Sequence, residues 1–326
     1  NVQTARWRSE AVKPGYVLRW LVDHQGVPCV GIGVERERLR IVSRSAVGKP
    51  WETLAAYAST EDGIEPLGFT ADNRSLLVLY GGGEDTLGLY RFDIAQRKPV
   101  ALLFRRKDYD VSGVWLHPAT HAVAAVLYDT ERPEVFWADP EFRQIQAAMD
   151  RVLTNCVNMV VSTSRDGSRV LMLSSNDRNP GAYYLVDART KKWEKLLEMT
   201  TEIPVDEMAE MKPIRYRARD GLTLQGYLTL PVSGPQTNLP LVINPHGGPW
   251  VRDRWGFDPE VQFLANRGYA VLRVNFRGSS GYGLSFLRAG HKEWGRKMQD
   301  DLTDGVRWAV AEGIADPKRV AIYGGS

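Results

Sequence analysis

The sequence predicts a partial β-propeller of about four blades, followed by the first part of a domain in which helices alternate with a mostly parallel sheet. Three observations support this prediction: a repeated pattern of short strands, a later change to alternating strands and helices, and glycine-rich loops after three of the later strands. A chain of 326 residues is long enough for two domains. We place the blades in residues 1–205 and the second domain in residues 206–326.

A unit of two strands recurs along the first part of the chain. In three copies, a polar turn leads into an apolar strand, and a second strand then ends at Asp93, Asp139 or Asp187. These aspartates are 46 and 48 residues apart, and a period in the forties built from short strands is typical of propeller blades. About four such units fit between Tyr16 and Thr200. A β-sandwich with evenly spaced strands is the alternative.

The pattern changes after the acidic, proline-containing stretch 202–211, where we place the domain boundary. The predicted elements are a hairpin of strands 214–219 and 222–230, a strand at 241–244, a helix at 260–267, a strand at 270–274, a helix around Leu302–Val310 and a strand at 320–323. We expect Asp300 or Asp301 to cap the second helix, although the two could also pass for a catalytic carboxylate pair. Strands that alternate with helices indicate a parallel sheet.

Glycine-rich loops follow the three predicted parallel strands: Pro245–Pro249, Asn275–Gly283 and Gly324–Ser326. The carboxyl ends of parallel strands meet at one edge of a sheet, where ligands bind in such folds. A strand that runs into a serine flanked by glycines is how α/β-hydrolases present a nucleophile. Gly-Gly-Ser alone is also a flexible linker. The two other loops favour Ser326 as the nucleophile of an α/β-hydrolase domain.

The first of these loops has the residues that an oxyanion site requires. His246-Gly247-Gly248 matches the oxyanion loop that follows the corresponding strand in α/β-hydrolases. Glycine lets the backbone approach a substrate closely, and we expect the Gly248 N–H to be the donor. In this fold the catalytic histidine comes after the nucleophile in the chain, so His246 is predicted to position the loop rather than to act as the base.

Other polar and aromatic side chains are candidates for the substrate side of the site. Arg277 and Tyr282 lie in the second glycine-rich loop. Arg277 could clamp a substrate carbonyl or carboxylate, and a salt bridge that braces the loop is the alternative. Trp250, Trp255 and Trp294 could line a pocket or pack in the core.

Blades followed by HGGP, NFRGSSGYG and a strand ending in GGS resemble the prolyl oligopeptidase family of serine peptidases, in its acylaminoacyl-peptidase and dipeptidyl-peptidase-like branch. The resemblance implies Ser326 as the nucleophile, a backbone oxyanion donor at Gly248, and a propeller that admits only short peptides. The family pattern continues after the serine with further glycines, an Asp and a His, and its propellers have more blades. We therefore expect a fragment that stops at the nucleophile, lacks N-terminal blades and is inactive alone.

The composition and charge of the chain argue against several kinds of partner and cofactor. The net charge is +3 with no basic tract, so neither nucleic acid nor a membrane surface is an expected partner. Neither the cysteines nor the histidines have the spacing of a metal site, and no cofactor is expected. No signal peptide is visible, which favours the cytoplasm, but the chain starts at Asn1 and a periplasmic or secreted location stays open.

Two further functions remain open at this level. A serine esterase would use the same nucleophile, and a propeller binding protein could carry a hydrolase segment without activity. The sequence leaves the oligomeric state, the preferred scissile bond, and exo- versus endo-action undetermined.

Overall fold

Four small antiparallel sheets form the first part of the protein. The computed structural model describes residues 15–58 and 61–326. The first sheet contains β1 (Arg19–Val22), β2 (Pro28–Glu35), β3 (Arg38–Ser43) and β4 (Glu52–Ala58), and the second contains β5 (Glu65–Phe69), β6 (Ser75–Tyr80), β7 (Gly88–Asp93) and β8 (Lys98–Phe104). The third contains β9 (Val111–Leu116), β10 (Val123–Asp129) and β11 (Pro133–Trp137), and the fourth contains β12 (Val157–Thr163), β13 (Arg169–Ser175), β14 (Ala182–Asp187) and β15 (Trp193–Glu198). Within each sheet the strands pair in chain order.

The sheets stack face to face because their middle strands are apolar on both sides. Strand β6 shows this best, since successive side chains of a strand point to opposite faces. Leu76 and Val78 belong to a core shared with the first sheet. Leu77 and Leu79 belong to a second core, shared with the third sheet. Small sheets that bury their faces against neighbours are arranged as propeller blades are, and the repeat in the sequence predicted this arrangement.

The third sheet has three strands, and a helix follows it. Helix α1 (Pro140–Val152) begins after Asp139, whose carboxylate accepts hydrogen bonds from the N–H groups of Glu141 at 2.9 Å and Phe142 at 3.1 Å. The apolar face of α1 packs between the third and fourth sheets through Phe142 and Met149. This helix was not predicted from the sequence, in which Asp139 stands only as the end of a repeated strand.

Replacement of Asp139 tests the contribution of this cap. We expect Asp139→Ala to lower the free energy of unfolding by about 0.5–2 kcal/mol, since two backbone donors at the start of α1 lose their acceptor. Asp139→Asn is the matched control, because asparagine caps helices about as well as aspartate does. Urea unfolding of the full-length protein measures both. Equal stability of Asp139→Ala and wild type would contradict the expectation.

The second part of the chain forms one five-stranded sheet. Its strands are β16 (Met211–Arg217), β17 (Thr223–Thr229), β18 (Leu239–Ile243), β19 (Ala270–Asn275) and β20 (Ala315–Ile322), in the spatial order β16-β17-β19-β18-β20. Strands β18, β19 and β20 are parallel, whereas β17 pairs antiparallel with both β16 and β19. The sheet is therefore mixed, and the prediction of a mostly parallel sheet was wrong in this respect. The predicted hairpin causes the difference, because it joins the sheet through β17.

Three helices accompany this sheet: α2 (Pro259–Asn266), α3 (Leu284–Arg288) and α4 (Lys297–Ala311). Leu302 and Ala309 of α4 pack on the sheet in a core that includes Leu241 and Leu272. The predicted cap of this helix was wrong. Helix α4 begins at Lys297, so Asp300 and Asp301 lie inside its first turns, and no side chain caps its start.

Two further findings concern the described residues as a whole. None of their helices is long and apolar enough to cross a membrane. Within residues 15–58 and 61–326, no three His, Cys, Asp or Glu side chains are grouped as metal ligands.

Candidate active site

Ser326 follows β20 in an unusual backbone conformation. The N–H of Tyr323 still donates to the carbonyl of Ile243 in the neighbouring β18, at 2.9 Å, and the chain then turns through Gly324 and Gly325. The φ angle of Ser326 is 82°, a region that residues with a Cβ rarely adopt. A serine held in a strained turn directly after a strand is the geometry of a nucleophile elbow.

Gly247 lies directly against Ser326. A Cβ atom added to Gly247 would be 2.9 Å from Ser326 Cβ, 3.2 Å from Ser326 Oγ and 3.0 Å from the carbonyl oxygen of Gly325. A Cβ on Gly324 would lie 2.8 Å from the carbonyl oxygen of Pro245. The loop after β18 and the loop after β20 are therefore in backbone contact. Only glycine at these positions permits that distance.

Gly248 carries an available backbone donor beside this contact. Its N–H forms no hydrogen bond with any residue in the described part of the chain. Its φ angle is 113°, which favours glycine. A free N–H one residue from the contact with the serine could receive a hydrogen-bond acceptor from a bound substrate.

The contacts of His246 leave neither ring nitrogen free to act as the catalytic base. Its Nε2 lies 2.9 Å from Ser279 Oγ and its Nδ1 lies 2.8 Å from the carbonyl oxygen of Gly247. The ring stacks on Phe276 with centroids 4.4 Å apart. Burial lowers the pKa of His246, so the imidazole is neutral at neutral pH. Both ring nitrogens are thus engaged by the loops, and within the described residues Ser326 forms no hydrogen bond to His246.

The structure places Arg277 inside the protein rather than at the cleft. Its side chain is 5% exposed and forms ion pairs with Asp301 at 2.6 Å and Asp220 at 2.8 Å. These two carboxylates hold the pKa of the guanidinium above its usual value. This placement agrees with the bracing salt bridge that the sequence analysis left open as the alternative. Asp301 is accordingly a structural partner of Arg277.

Tyr282 also lies apart from the serine. Its hydroxyl accepts hydrogen bonds from Asn275 Nδ2 at 2.7 Å and from Arg252 Nη2 at 2.8 Å. The guanidinium of Arg252 lies over the Tyr282 ring, 4.2 Å from its centroid, and donates to the carbonyl of Asp129 at 3.1 Å. Tyr282 therefore joins the second glycine-rich loop to the third of the small sheets.

A cleft of about 260 Å³ opens beside Ser326. It is lined by Pro245, His246, Gly247, Gly248, Pro249, Phe276, Trp294, Gly295, Met298, Gln299, Leu302 and Ser326. Its walls are mostly apolar, so the cleft suits an apolar group next to a polar reacting centre. Sequence reasoning missed Met298 and Gln299. Their only signal was the helical spacing that puts Met298 on the same face of α4 as Leu302.

The tryptophans considered from the sequence have different environments. Trp294 lines the cleft and is 67% exposed. Its ring centroid lies 6.4 Å from that of Trp250, which is 55% exposed. Trp255 is buried and its Nε1 donates to the carbonyl of Met211 at 3.0 Å. Trp250 and Trp294 thus flank the site, whereas Trp255 packs in the core.

Loops of the small sheets form hydrogen bonds with the second glycine-rich loop and with Ser285, just after it. The N–H of Asp110 donates to the carbonyl of Gly281 at 3.1 Å, and the Asp110 carboxylate accepts from the N–H of Gly283 at 3.2 Å. Asp85 accepts hydrogen bonds from the N–H and the hydroxyl of Ser285 at 2.7 and 2.9 Å. No sequence motif marked these aspartates, because their partners are about 200 residues away.

The first part of the chain forms stacked small sheets. A mixed sheet follows, and the loops at its strand ends meet at a strained serine. Together these features define a hydrolase fold of the propeller-plus-α/β class. Residues 255–326 match the family model described as the prolyl oligopeptidase family. The chain belongs to this family, as its resemblance in sequence predicted.

The relatives and solved structures agree with this assignment. The chain is 37% identical over 268 residues to dipeptidyl aminopeptidase BIII of Pseudoxanthomonas mexicana, across 80% of this chain and 39% of that protein. It is 32% identical over 283 residues to dipeptidyl peptidase family member 6 of Caenorhabditis elegans, across 80% of this chain and 38% of the relative. A puromycin-hydrolyzing peptidase of Mycobacterium tuberculosis has the same fold, with a TM-score of 0.72, 21% identity and coverage of 98% of this chain and 50% of its own. The chain thus spans about two fifths of these curated relatives.

Proposed function

We propose that this chain belongs to a serine peptidase that hydrolyses short peptides through an acyl-enzyme on Ser326. The observation that carries the proposal is the backbone contact between Gly247 and the strained Ser326, which sets a hydroxyl, a free N–H and an apolar cleft side by side. The names of the relatives, dipeptidyl aminopeptidase and dipeptidyl peptidase, support a peptide substrate.

The proposed reaction assigns one role to each of these groups. Ser326 Oγ attacks the carbonyl carbon of the scissile bond while a general base takes the hydroxyl proton. The negative oxygen of the tetrahedral intermediate accepts a hydrogen bond from the Gly248 N–H. The C–N bond then breaks, and the amine leaves with the proton that the base had taken. Water then attacks the carbonyl carbon of the ester in the same way. The acid product is released, and the free serine hydroxyl is restored.

Catalysis also needs a base and an acid. Among the described residues no side chain forms a hydrogen bond with the Ser326 hydroxyl, and His246 is engaged with Ser279 and Gly247. We therefore propose that a polypeptide of residues 1–326 alone does not turn over substrate. Loss of triad members costs several orders of magnitude in rate.

We propose that the chain divides into two domains between residues 205 and 206, in the connection between β15 and β16.

The small sheets are proposed to restrict access to the serine. The hydrogen bonds of Asp85 and Asp110 with residues 281–285 support the proposal, since they hold the small sheets against the loop that follows β19. A peptide too large to pass between these sheets and the loop would not reach Ser326.

A fluorophosphonate probe on the full-length protein tests the proposal. We expect one covalent adduct, located on Ser326 by peptide mass spectrometry, and no adduct in Ser326→Ala. Ser280→Ala is the matched control, because its hydroxyl makes no hydrogen bond within the described residues, and it should label as wild type does. An unlabelled wild-type protein would favour a binding protein without activity. Labelling with turnover of esters but not of peptide amides would favour an esterase.

A further inference from the structure

We propose that a cavity between the first two small sheets binds a small organic carboxylate, with Arg44 as its charged anchor. The cavity has a volume of about 970 Å³, in the range of sites that hold small molecules. None of the residues that line it also lines the cleft at Ser326. It is therefore a second site, and the inference goes beyond the proposed peptidase function.

The cavity lies at one end of the two sheets. Its walls come from the turns there, between β1 and β2, β3 and β4, β5 and β6, and β7 and β8. The N–H of His24 donates to Asn73 Oδ1 at 3.2 Å, and the Nε2 of His24 lies 2.9 Å from the carbonyl oxygen of Thr70. Arg97 forms an ion pair with Glu52. The turns around the cavity are thus tied to one another across the two sheets.

Arg44 is a buried cation in the wall of this cavity. The residue is 8% exposed, and its Nε donates to the carbonyl oxygen of Pro28 at 2.9 Å. Its guanidinium carbon lies 4.7 Å from the centroid of the Trp51 ring. Nη2 is buried without an acceptor, and within residues 15–58 and 61–326 no carboxylate forms an ion pair with this guanidinium. Arg44 therefore lacks a counter-charge.

A bound carboxylate would supply what Arg44 lacks. Arginine stays charged in proteins, and a buried charge without a partner is costly. The face of Trp51 attracts the cation, but an indole has no acceptor for an N–H group. A carboxylate brings the negative charge together with oxygens that accept from a guanidinium in good geometry.

The acidic side chains around the cavity already have partners of their own. Glu52 is paired with Arg97. Asp23 accepts two backbone N–H groups of the turn between β1 and β2, both at 2.9 Å. Asp93 accepts the N–H of Gln96 at 2.8 Å. These carboxylates stabilise the turns and do not neutralise Arg44.

The cavity has an excess of positive charge. Lys49 and Arg74 also line it, and neither forms an ion pair in the part of the chain that the structure describes. With Arg44 and Arg97, four basic groups stand against three acidic ones. An excess of one positive charge matches a carboxylate better than a phosphate ester, which carries about −1.5 to −2 at neutral pH. The charge of the cavity therefore favours a monoanion.

The apolar part of the wall indicates that the ligand has an organic body. Val30 and Phe69, which line the cavity, are buried in the core shared by the first two sheets, and Ile94 packs against that core. Apolar walls with a few charged groups are typical of sites for small molecules. The ligand class is thus an apolar group that carries one carboxylate.

Calorimetric titration of the full-length protein with N-acetylphenylalanine tests the site, since this molecule joins one carboxylate to an apolar ring. We expect saturable binding, with a Kd about tenfold or more higher in Arg44→Met, because a charged hydrogen bond is lost. Arg189→Met is the matched control, since this arginine is 76% exposed on the fourth sheet, and its Kd should equal that of wild type. N-acetylphenylalanine amide, which has the same body without the charge, should bind about tenfold or more weakly. Equal Kd values in wild type and Arg44→Met, or binding of inorganic phosphate but not of the carboxylate, would overturn the proposal.

Cys29 provides a second test that needs no variant of Arg44. Its thiol is free and lines the cavity, whereas Cys156 is free and lies outside it. With N-acetylphenylalanine at about ten times its Kd, alkylation of Cys29 by iodoacetamide should slow about tenfold, because only the unoccupied protein reacts. Cys156 should react at an unchanged rate, and the amide at the same concentration should protect Cys29 far less. Unchanged alkylation of Cys29 would overturn the proposal even if Arg44→Met failed to fold.

Discussion

Replacement of Gly247 by alanine is expected to lower kcat/KM of the full-length protein by about 10²–10³-fold. The added methyl group would lie 2.9 Å from Ser326 Cβ, closer than a Cβ atom approaches its neighbours in folded proteins, and 3.2 Å from Ser326 Oγ, which is also a tight contact. Either the serine or the oxyanion loop must move. A shift of about 1 Å at a reacting group is enough to cost about a hundredfold in rate.

The control for this variant is a glycine in the small sheets. Gly68 has ordinary backbone geometry, and a Cβ there would come no closer than 3.9 Å to Leu116. Gly68→Ala should therefore keep wild-type kcat/KM. Circular dichroism and the urea unfolding midpoint should show that Gly247→Ala remains folded. A folded Gly247→Ala protein with wild-type kcat/KM would contradict both the expected clash and the assignment of Ser326.

The sequence predicted the components of this site better than their contacts. Strand periodicity and glycine-rich loops marked Ser326, Gly247 and Gly248 as candidates, because both signals are local in the chain. The distance between Gly247 and Ser326 depends on the parallel pairing of β18 with β20, in which Ile243 lies opposite Ile322. A single sequence does not encode that register locally, so it could not be predicted.

The same reason explains which features of the fold could not be predicted from the sequence. Asp300 or Asp301 was expected to cap α4, because an aspartate near the start of a helix is most often a cap. In the structure both lie inside the helix, and Asp301 pairs with Arg277, which is 24 residues earlier in the chain. Asp110 supports a loop 173 residues away. Interactions between residues far apart in the chain depend on how the strands, helices and loops pack, which local patterns do not describe.

Loss of the buried partner of Arg277 should have the largest effect on stability. Asp301 is completely buried, and its carboxylate accepts from Arg277 Nε at 2.9 Å, from Nη2 at 2.6 Å and from the backbone N–H of Arg277 at 2.9 Å. We expect Asp301→Ala to lower the free energy of unfolding by about 3–5 kcal/mol, because a buried guanidinium loses its main counter-charge and three donors lose their acceptor.

The second carboxylate on Arg277 contributes in a pH-dependent way. Hydrogen bonding to Arg277 holds the pKa of Asp220 well below its usual value. A folded-state pKa below the unfolded value of about 3.9 gives stability that is present above that pH and is lost as the pH falls through the folded value. Asp220 therefore stabilises the protein at neutral pH. It cannot replace Asp301, because its side chain is 35% exposed and contacts only the outer part of the guanidinium.

Urea unfolding of three variants distinguishes a buried ion pair from surface charge. Arg189→Ala removes an exposed pair with Asp166, whose side chains are 76% and 57% exposed, and should cost about 1 kcal/mol or less. The double variant Arg277→Met with Asp301→Leu should recover a large part of the loss seen in Asp301→Ala, since apolar residues of similar size often replace a buried pair without cost. If the double variant were as unstable as Asp301→Ala, the cost would come from lost backbone anchoring rather than from an unpaired charge. If Asp301→Ala were as stable as Arg189→Ala, Arg277 would have to reach solvent. The ion pair with Asp301 would then not stabilise the loop after β19.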